Sequence, residues 1–112
     1  MAKFRNLLGK PATLNGHILP SKGKVVVGKA ERVHGKVSGV SVEGSINTAE
    51  GLPEPVRGIF LVVPSDVAFA QRLHRSDLCY PINPVLRSGV IQATRIAYAG
   101  DPGQFQEWNN KD

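Results

Sequence analysis

The residues best suited to chemistry are cations in the stretch KGKVVVGKAERVHGKVSG, residues 22–39. They are Lys22, Lys24, Lys29, Arg32 and Lys36. Cations spaced along a strand can contact successive phosphates, and glycines between them allow a nucleic-acid backbone to come close. The stretch therefore predicts a basic β-ribbon that binds nucleic acid. The same residues could instead form an ordinary solvated strand face.

Four further side chains could extend such a surface. Arg72 and Arg75 share the polar side of a predicted helix, which would lengthen the line of cations. Tyr80 and Tyr98 are candidate stacking platforms, because bases stack on exposed aromatic rings. Each ring could equally pack in a core or at a sheet edge.

The sequence contains no residue pattern typical of a catalytic site. The two glycine-lysine segments, 16–24 and 28–36, lack the spacing and the hydroxyl residue of a phosphate-binding P-loop. The three histidines and the single Cys79 are not spaced as metal ligands, and the carboxylates are scattered. We therefore expect a protein that is not an enzyme and has no metal or cofactor.

Charge is unevenly distributed along the chain, whose formal net charge is +5. Residues 1–36 hold eight of the fourteen cations but one of the nine carboxylates, which suggests a polyanionic partner.

The chain has one cysteine and therefore cannot form an intrachain disulfide, which is typical of proteins in a reducing cytosol. The apolar stretch 59–64 is far shorter than the ~20 residues of a membrane span, and no targeting segment is evident. We expect a cytoplasmic protein without a membrane partner.

Local patterns predict one domain, 12–100, between a basic arm, 1–11, and a flexible tail, 101–112. Strands are expected at 12–19, at 24–37 with bends at its glycines, at 40–46, at 56–63, at 78–86 with two prolines, and at 89–100. One helix is expected at 65–75, with Ser65 as its N-cap. This order predicts a mainly β fold, a small five- to six-stranded antiparallel OB-like barrel with one short helix.

Periodicity also assigns side chains to the core. Alternation directs Val25, Val27, Val33 and Val37 inward. It also predicts that 40–46 is a half-buried strand, with Val40 and Val42 on its apolar face. On the helix, Val67, Phe69, Ala70 and Leu73 cluster on one side, which predicts the packed face.

Two segments resemble bacterial single-stranded-DNA-binding and primosomal OB-fold proteins. The run GIFLVVPSDVAFAQRLHRSDLCYPINPVLRSGVIQATRIAYAGD resembles their second half, and TLNGHIL resembles their opening strand. The resemblance implies a five-stranded Greek-key barrel, binding to single strands, frequent dimerisation and a role in replication. The chain departs from the family in having no aromatic residue at 22–46 and in ending Asn109-Asn110-Lys111-Asp112 rather than in an acidic tip. The departures imply binding that is mostly electrostatic and sensitive to salt.

Two hypotheses of different classes follow. The first is a non-catalytic protein that binds single-stranded nucleic acid, DNA in particular, and forms a homo-oligomer. The second is a β-barrel adaptor or oligomeric structural subunit whose sheet edges pair with protein, since the strand 40–46 could pair with a copy of itself.

Overall fold

The computed structural model describes residues 3–28, 31–46 and 49–109, and the side chains at 31–33, 45–46 and 109 are not described. The strands are β1 (Lys3–Asn6), β2 (Ala12–Leu14), β3 (His17–Leu19), β4 (Val26–Val27), β5 (Glu31–Val37), β6 (Val40–Ile46), β7 (Ala49–Glu50), β8 (Ile59–Val62), β9 (Leu78–Pro81), β10 (Val85–Arg87), β11 (Val90–Ala93) and β12 (Ile96–Tyr98). The helices are α1 (Ser65–Gln71) and α2 (Pro102–Asn109). The fold is mainly β, as predicted. No helix in these ranges has the length and apolarity that crossing a bilayer would require.

The strands of the described residues pair in four separate groups rather than in one closed barrel. One sheet has the order β1-β8-β9-β12 and the other the order β10-β11-β2-β3, while β4-β7 and β5-β6 are two-stranded. Three pairs are parallel, β1 with β8, β8 with β9 and β11 with β2. The sheets therefore mix parallel and antiparallel pairing, whereas the sequence predicted an antiparallel arrangement.

β8 is the central strand of the core, and its alternation explains how the core is divided. Leu61 and Val63, the residue after β8, pack with Val67 and Ala68 of α1 in one buried cluster. Val62 points to the opposite side, where it packs with residues of β2 in a second cluster. Successive strand residues point to opposite faces, so one apolar strand serves both clusters.

Several predicted elements are divided or shortened. The predicted strand 12–19 is the hairpin β2–β3, because Asn15 and Gly16 take φ of 49° and 79° and form the tight turn that this pair favours. The predicted strand 24–37 becomes β4 and β5, in different two-stranded sheets. The predicted strand 89–100 becomes β11 and β12, which lie in different four-stranded sheets.

The ends of the described chain are paired with the body. Residues 3–6 of the predicted arm form β1, whose four residues pair in register with β8. Residues 102–109 of the predicted tail form α2, where Asp101 and Gln104 exchange hydrogen bonds as a capping box. Trp108 Nε1 donates to the carbonyl of Ile59 at 3.1 Å, which attaches α2 to β8.

The helix α1 is shorter than predicted, and its packed face is different. It ends at Gln71, its N-cap is Pro64 rather than Ser65, and its buried residues are Val67 and Ala68. Phe69 is 52% exposed and Leu73 is 85% exposed, so the prediction that they pack in the core is wrong. A seven-residue helix needs only a narrow face against β9 and β4, which leaves its other side in solvent.

The hairpin β5–β6, which we call the ribbon, extends away from the body. Its strands contact each other and make few contacts with other elements. Val37, Val40 and Val42 are 66%, 64% and 51% exposed. The predicted inward orientation of Val37 and the predicted burial of the apolar face of 40–46 are therefore wrong. With a reach of ~23 Å for seven residues, the ribbon helps to account for a radius of gyration of 16.2 Å, above the ~13 Å of a compact chain of this size.

Candidate nucleic-acid interface

Backbone pairing brings together lysines that are distant in sequence. Lys22 N donates to Asn6 O at 2.8 Å, Gly9 N donates to Gly23 O at 3.0 Å, and Val25 N donates to Leu7 O at 3.2 Å. The two segments that these bonds join carry three exposed lysines, which we call the lysine cluster. They are Lys10, Lys22 and Lys24.

Gly9 lets the side chain of Lys24 lie across the backbone. A Cβ built at position 9 would lie 3.2 Å from Lys24 Cγ, and the residue has a φ of +82°. Glycine takes this conformation without strain and leaves room for the lysine stem. The methylenes of Lys24 are therefore supported while its ammonium group stays in solvent.

Asn6 holds the segments of the lysine cluster in place. Its side chain is buried, and Nδ2 donates to Lys10 O at 2.8 Å and to Leu19 O at 3.0 Å. Its Oδ1 accepts from Leu8 N at 2.8 Å. Asn6 thus fixes the turn that presents Lys10, and it is a positioning residue that sequence reasoning missed.

β1 adds an aromatic ring between two further cations. Phe4 lies between Lys3 and Arg5 and is 47% exposed, and the centroid of its ring is 5.9 Å from that of buried Phe60. Phe60 in turn stacks on Phe105 of α2 at 5.3 Å. The ring of Phe4 thus packs partly against the aromatic core and keeps an exposed part on which a base can stack. Sequence reasoning missed Phe4, although an aromatic residue flanked by cations is itself a signal.

The ribbon has a polar face of mixed charge. The register places Lys36 and His34 opposite Ser41 and Glu43, and His34 Nδ1 lies 3.5 Å from Glu43 Oε1. Lys36 is exposed. Arg32 lies in β5 with its side chain outside the described atoms, and Lys29 lies outside the described residues. The ribbon thus presents Lys36 beside a carboxylate-bearing strand rather than a purely cationic face.

The two arginines near α1 differ in what they contact. Arg72 is exposed at the C-cap of α1. Arg75 donates from Nε and Nη2 to the two carboxylate oxygens of Asp77, at 3.0 and 2.8 Å, and from Nη2 to Pro53 O at 2.8 Å. Its side chain is 14% exposed and that of Asp77 is 1% exposed. Arg75 is thus committed to a buried ion pair, which would have to break before the guanidinium could contact a phosphate.

The two tyrosines lie in different aromatic groups. Tyr98 donates its hydroxyl to Ser76 O at 2.6 Å and meets Phe60 and Phe105 edge to face. Burial, followed by the charges of Cys79, Asp101 and Asp77, raises the pKa of Tyr98 to about 12. Tyr80 is half-buried, with its ring 5.1 Å from the exposed ring of Phe69. Tyr98 is therefore a packing residue in this structure, whereas Tyr80 borders an open aromatic surface.

Within the described ranges, the remaining reactive groups are not assembled into a chemical site. Cys79 is buried, and its pKa is raised to about 12, first by burial and then by the charge of Asp77, so the thiol is protonated at neutral pH. Across the described ranges no three His, Cys, Asp or Glu side chains are grouped closely enough to hold a metal ion.

Comparisons with protein-family models, with curated proteins and with solved structures found no match.

Proposed function

We propose that this protein binds single-stranded nucleic acid without catalysing a reaction, through a cationic surface on its body. The observation that carries the proposal is the composition of two paired segments, which contain no carboxylate between residues 3 and 28. Their cations are Lys3, Arg5, Lys10, Lys22 and Lys24. A surface rich in cations attracts a polyanion and releases its counterions on binding. Glu50, opposite Val26 in the β4–β7 pair, is the carboxylate that borders this surface at Lys24.

Phe4 supports a single-stranded partner over a duplex. Base stacking on an exposed aromatic side chain contributes ~1–3 kcal/mol per base, and the bases must be unpaired to reach it. Phe4 lies between Lys3 and Arg5 on β1, and alternation turns its ring to the face of the strand opposite to their side chains. Because β1 is the edge strand of its sheet, a nucleic-acid strand that crosses this edge can meet the ring on one face and the cations on the other. Binding by this surface does not require the OB-like barrel that the sequence predicts. We also propose that the protein acts in the cytoplasm, because its single cysteine is typical of a reducing compartment.

The proposed contact set differs from the one that the sequence predicts. Lys22 and Lys24 stay in it, and Lys10, Lys3, Arg5 and Phe4 join it. Lys36 and Arg72 are exposed but lie on the ribbon and on α1, so we treat them as peripheral. We leave out Arg75 and Tyr98, whose polar groups already have partners inside the protein.

Fluorescence anisotropy with a labelled thymidine 30-mer tests the proposal. With about five phosphate contacts, the slope of log K against log salt should be near −3.5, because each contact with a single strand contributes about −0.7. Lys10→Gln, Lys22→Gln and Lys24→Gln together should reduce the magnitude of that slope by about 2.

A variant matched in charge provides the control. It removes three exposed cations outside the proposed surface: one on the ribbon, one at the C-cap of α1 and one on β10. The substitutions are Lys36→Gln, Arg72→Gln and Arg87→Gln. This control should keep a slope near that of the unmodified protein. If the control loses as much slope as the lysine-cluster variant, the cationic surface of the body is not the binding site. If the unmodified protein does not bind at low salt, the proposal fails.

The ribbon supports a second candidate function, protein binding or self-association. The register places Val37, Val40 and Val42 on one face, and β5 and β6 pair only with each other in the described chain, which leaves both strand edges open. Open edges next to exposed apolar side chains favour pairing with another strand. A concentration-dependent oligomer that Val42→Lys abolishes, in a protein without affinity for the 30-mer, would favour this function.

A further inference from the structure

A cleft of about 820 Å³ lies next to Phe4. It is enclosed by β1, by the β2–β3 turn and by the loop between β11 and β12. Small-molecule sites typically have volumes of ~300–1,000 Å³. The cleft is therefore large enough for a ligand and is not part of the lysine cluster.

The charged groups of the cleft all have the same sign. Lys3 and Arg95 line it, together with His17, and its lining contains no Asp or Glu. Lys3 and Arg95 have no ion-pair partner among the residues that the structure describes. Lys3, His17 and Arg95 are therefore three groups that can donate to an anion, and no carboxylate belongs to the lining of the cleft.

Backbone hydrogen bonds fix the three elements that carry these groups. Lys3 N donates to Gly58 O at 2.8 Å, Asn15 N donates to Ala93 O at 2.9 Å, and Ile82 N donates to Arg95 O at 3.0 Å. The donors are therefore mounted on paired backbone, although their side chains are exposed. A cleft that is already formed loses less free energy in ordering itself around a ligand.

The floor of the cleft is apolar. Leu14 is buried, Ile96 is half-buried, and the exposed ring of Phe4 lies beside them. Phe4 and Ile96 also line an adjoining hollow bordered by Tyr98 and Phe105. A ligand that contacts both the cations and the apolar floor of the cleft needs an anionic group and a flat ring that can stack. A nucleotide has both, in its phosphate and its base.

We infer that this cleft binds one nucleotide unit of the single strand, with the base against Phe4 and the phosphate among Lys3, His17 and Arg95. The inference rests on the proposed function and specifies it further, because the cleft would hold one base in place while the lysine cluster binds neighbouring phosphates. Asn15 and Thr94 are the uncharged polar residues of the lining, and we assign them to the edge of the base.

Isothermal titration with thymidine 5′-monophosphate tests the inference on the full chain. The nucleotide should bind at least about tenfold more tightly than thymidine or inorganic phosphate, because only the nucleotide uses both the cations and the ring. Phe4→Leu should weaken its binding roughly five- to 150-fold, the range expected for loss of one stacked base. Phe69→Leu is the matched control, since it removes an exposed ring outside the cleft and should leave the affinity unchanged.

Arg95→Gln keeps the test valid if Phe4→Leu disturbs packing against Phe60. Arg95 is exposed, so its replacement should preserve the thermal unfolding midpoint while weakening nucleotide binding roughly tenfold or more. Inorganic phosphate binding as tightly as the nucleotide would overturn the inference, because the ring would then contribute nothing.

The outcomes for the two binding claims are separable. The Lys10/Lys22/Lys24 variant should lose affinity for the 30-mer but keep its affinity for the nucleotide. If the nucleotide fails to bind while the 30-mer still binds, the cleft assignment is wrong and the proposed function stands. If the nucleotide binds and the 30-mer does not, the cleft is a mononucleotide site and the proposed function fails.

Discussion

Replacing Arg75 by alanine should destabilise the protein rather than weaken its binding to nucleic acid. The guanidinium is the ion-pair partner of Asp77, whose carboxylate is 1% exposed, and it also donates to Pro53 O. Arg75→Ala leaves a buried carboxylate without a counter-charge and a carbonyl without this donor. Breaking a buried pair by removing one partner costs about 3–5 kcal/mol, out of a total stability of ~5–15 kcal/mol for a typical domain.

Urea unfolding followed by far-UV circular dichroism measures this loss. Arg72→Ala is the matched control, because Arg72 is exposed three residues earlier and its replacement should change stability by less than ~0.5 kcal/mol. Arg75→Leu with Asp77→Leu should cost less than either single change, since no unpaired charge remains. If Arg75→Ala is as stable as Arg72→Ala but binds the 30-mer more weakly, Arg75 is a phosphate contact and the structural interpretation is wrong.

Three further predictions concern stability. Cys79 has its pKa raised to about 12 in the folded protein, so its contribution is present below about pH 9 and is lost as the pH rises toward 12. Between pH 8 and pH 11 the unmodified protein should lose ~2–3 kcal/mol more than Cys79→Val in urea unfolding, and equal losses would contradict this. Asn6→Ala should cost ~2–4 kcal/mol, because it removes the hydrogen bonds that join β1 to Lys10 O and Leu19 O, and an unchanged denaturation midpoint would exclude that role. Asp101→Ala should cost ~0.5–2 kcal/mol through loss of the cap of α2, measured as a lower melting temperature, whereas Asp101→Asn should retain most of the cap.

Local signals in the sequence predicted parts of the fold for physical reasons that the structure shows. Ser38 and Gly39 separate the predicted strands 24–37 and 40–46, and both have positive φ, of 49° and 80°, in the turn between β5 and β6. A small polar residue followed by glycine also occurs at Asn15-Gly16, which forms the turn between β2 and β3. The pattern of 12–19 instead predicted one continuous strand through this turn. The capping box Asp101-x-x-Gln104 was also present in the sequence, and it begins the helix α2 that was predicted as a tail.

Other features could not be read from local patterns because they depend on distant partners. β1 becomes a strand by pairing with β8 more than fifty residues away, and that pairing places Phe4 against Phe60. Alternation indicates which residues share a face but not which element covers that face. Val37, Val40 and Val42 of the ribbon therefore had the expected alternation and yet remained exposed.

The division of the basic stretch 22–36 changes what its charges can do together. Lys22 and Lys24 belong to the body, in a segment that is joined to the segment of Lys10 by the bonds from Lys22 N to Asn6 O and from Gly9 N to Gly23 O. Lys36 lies instead on the ribbon, opposite Ser41. Charges on two separate surfaces cannot follow one strand of nucleic acid as a continuous line of contacts unless the strand bends between them. A short thymidine oligomer that covers only the body should therefore keep nearly the full salt slope of the 30-mer. A slope that keeps growing with oligomer length would instead mean that the ribbon and the body bind together, as the continuous basic strand of the sequence-based prediction requires.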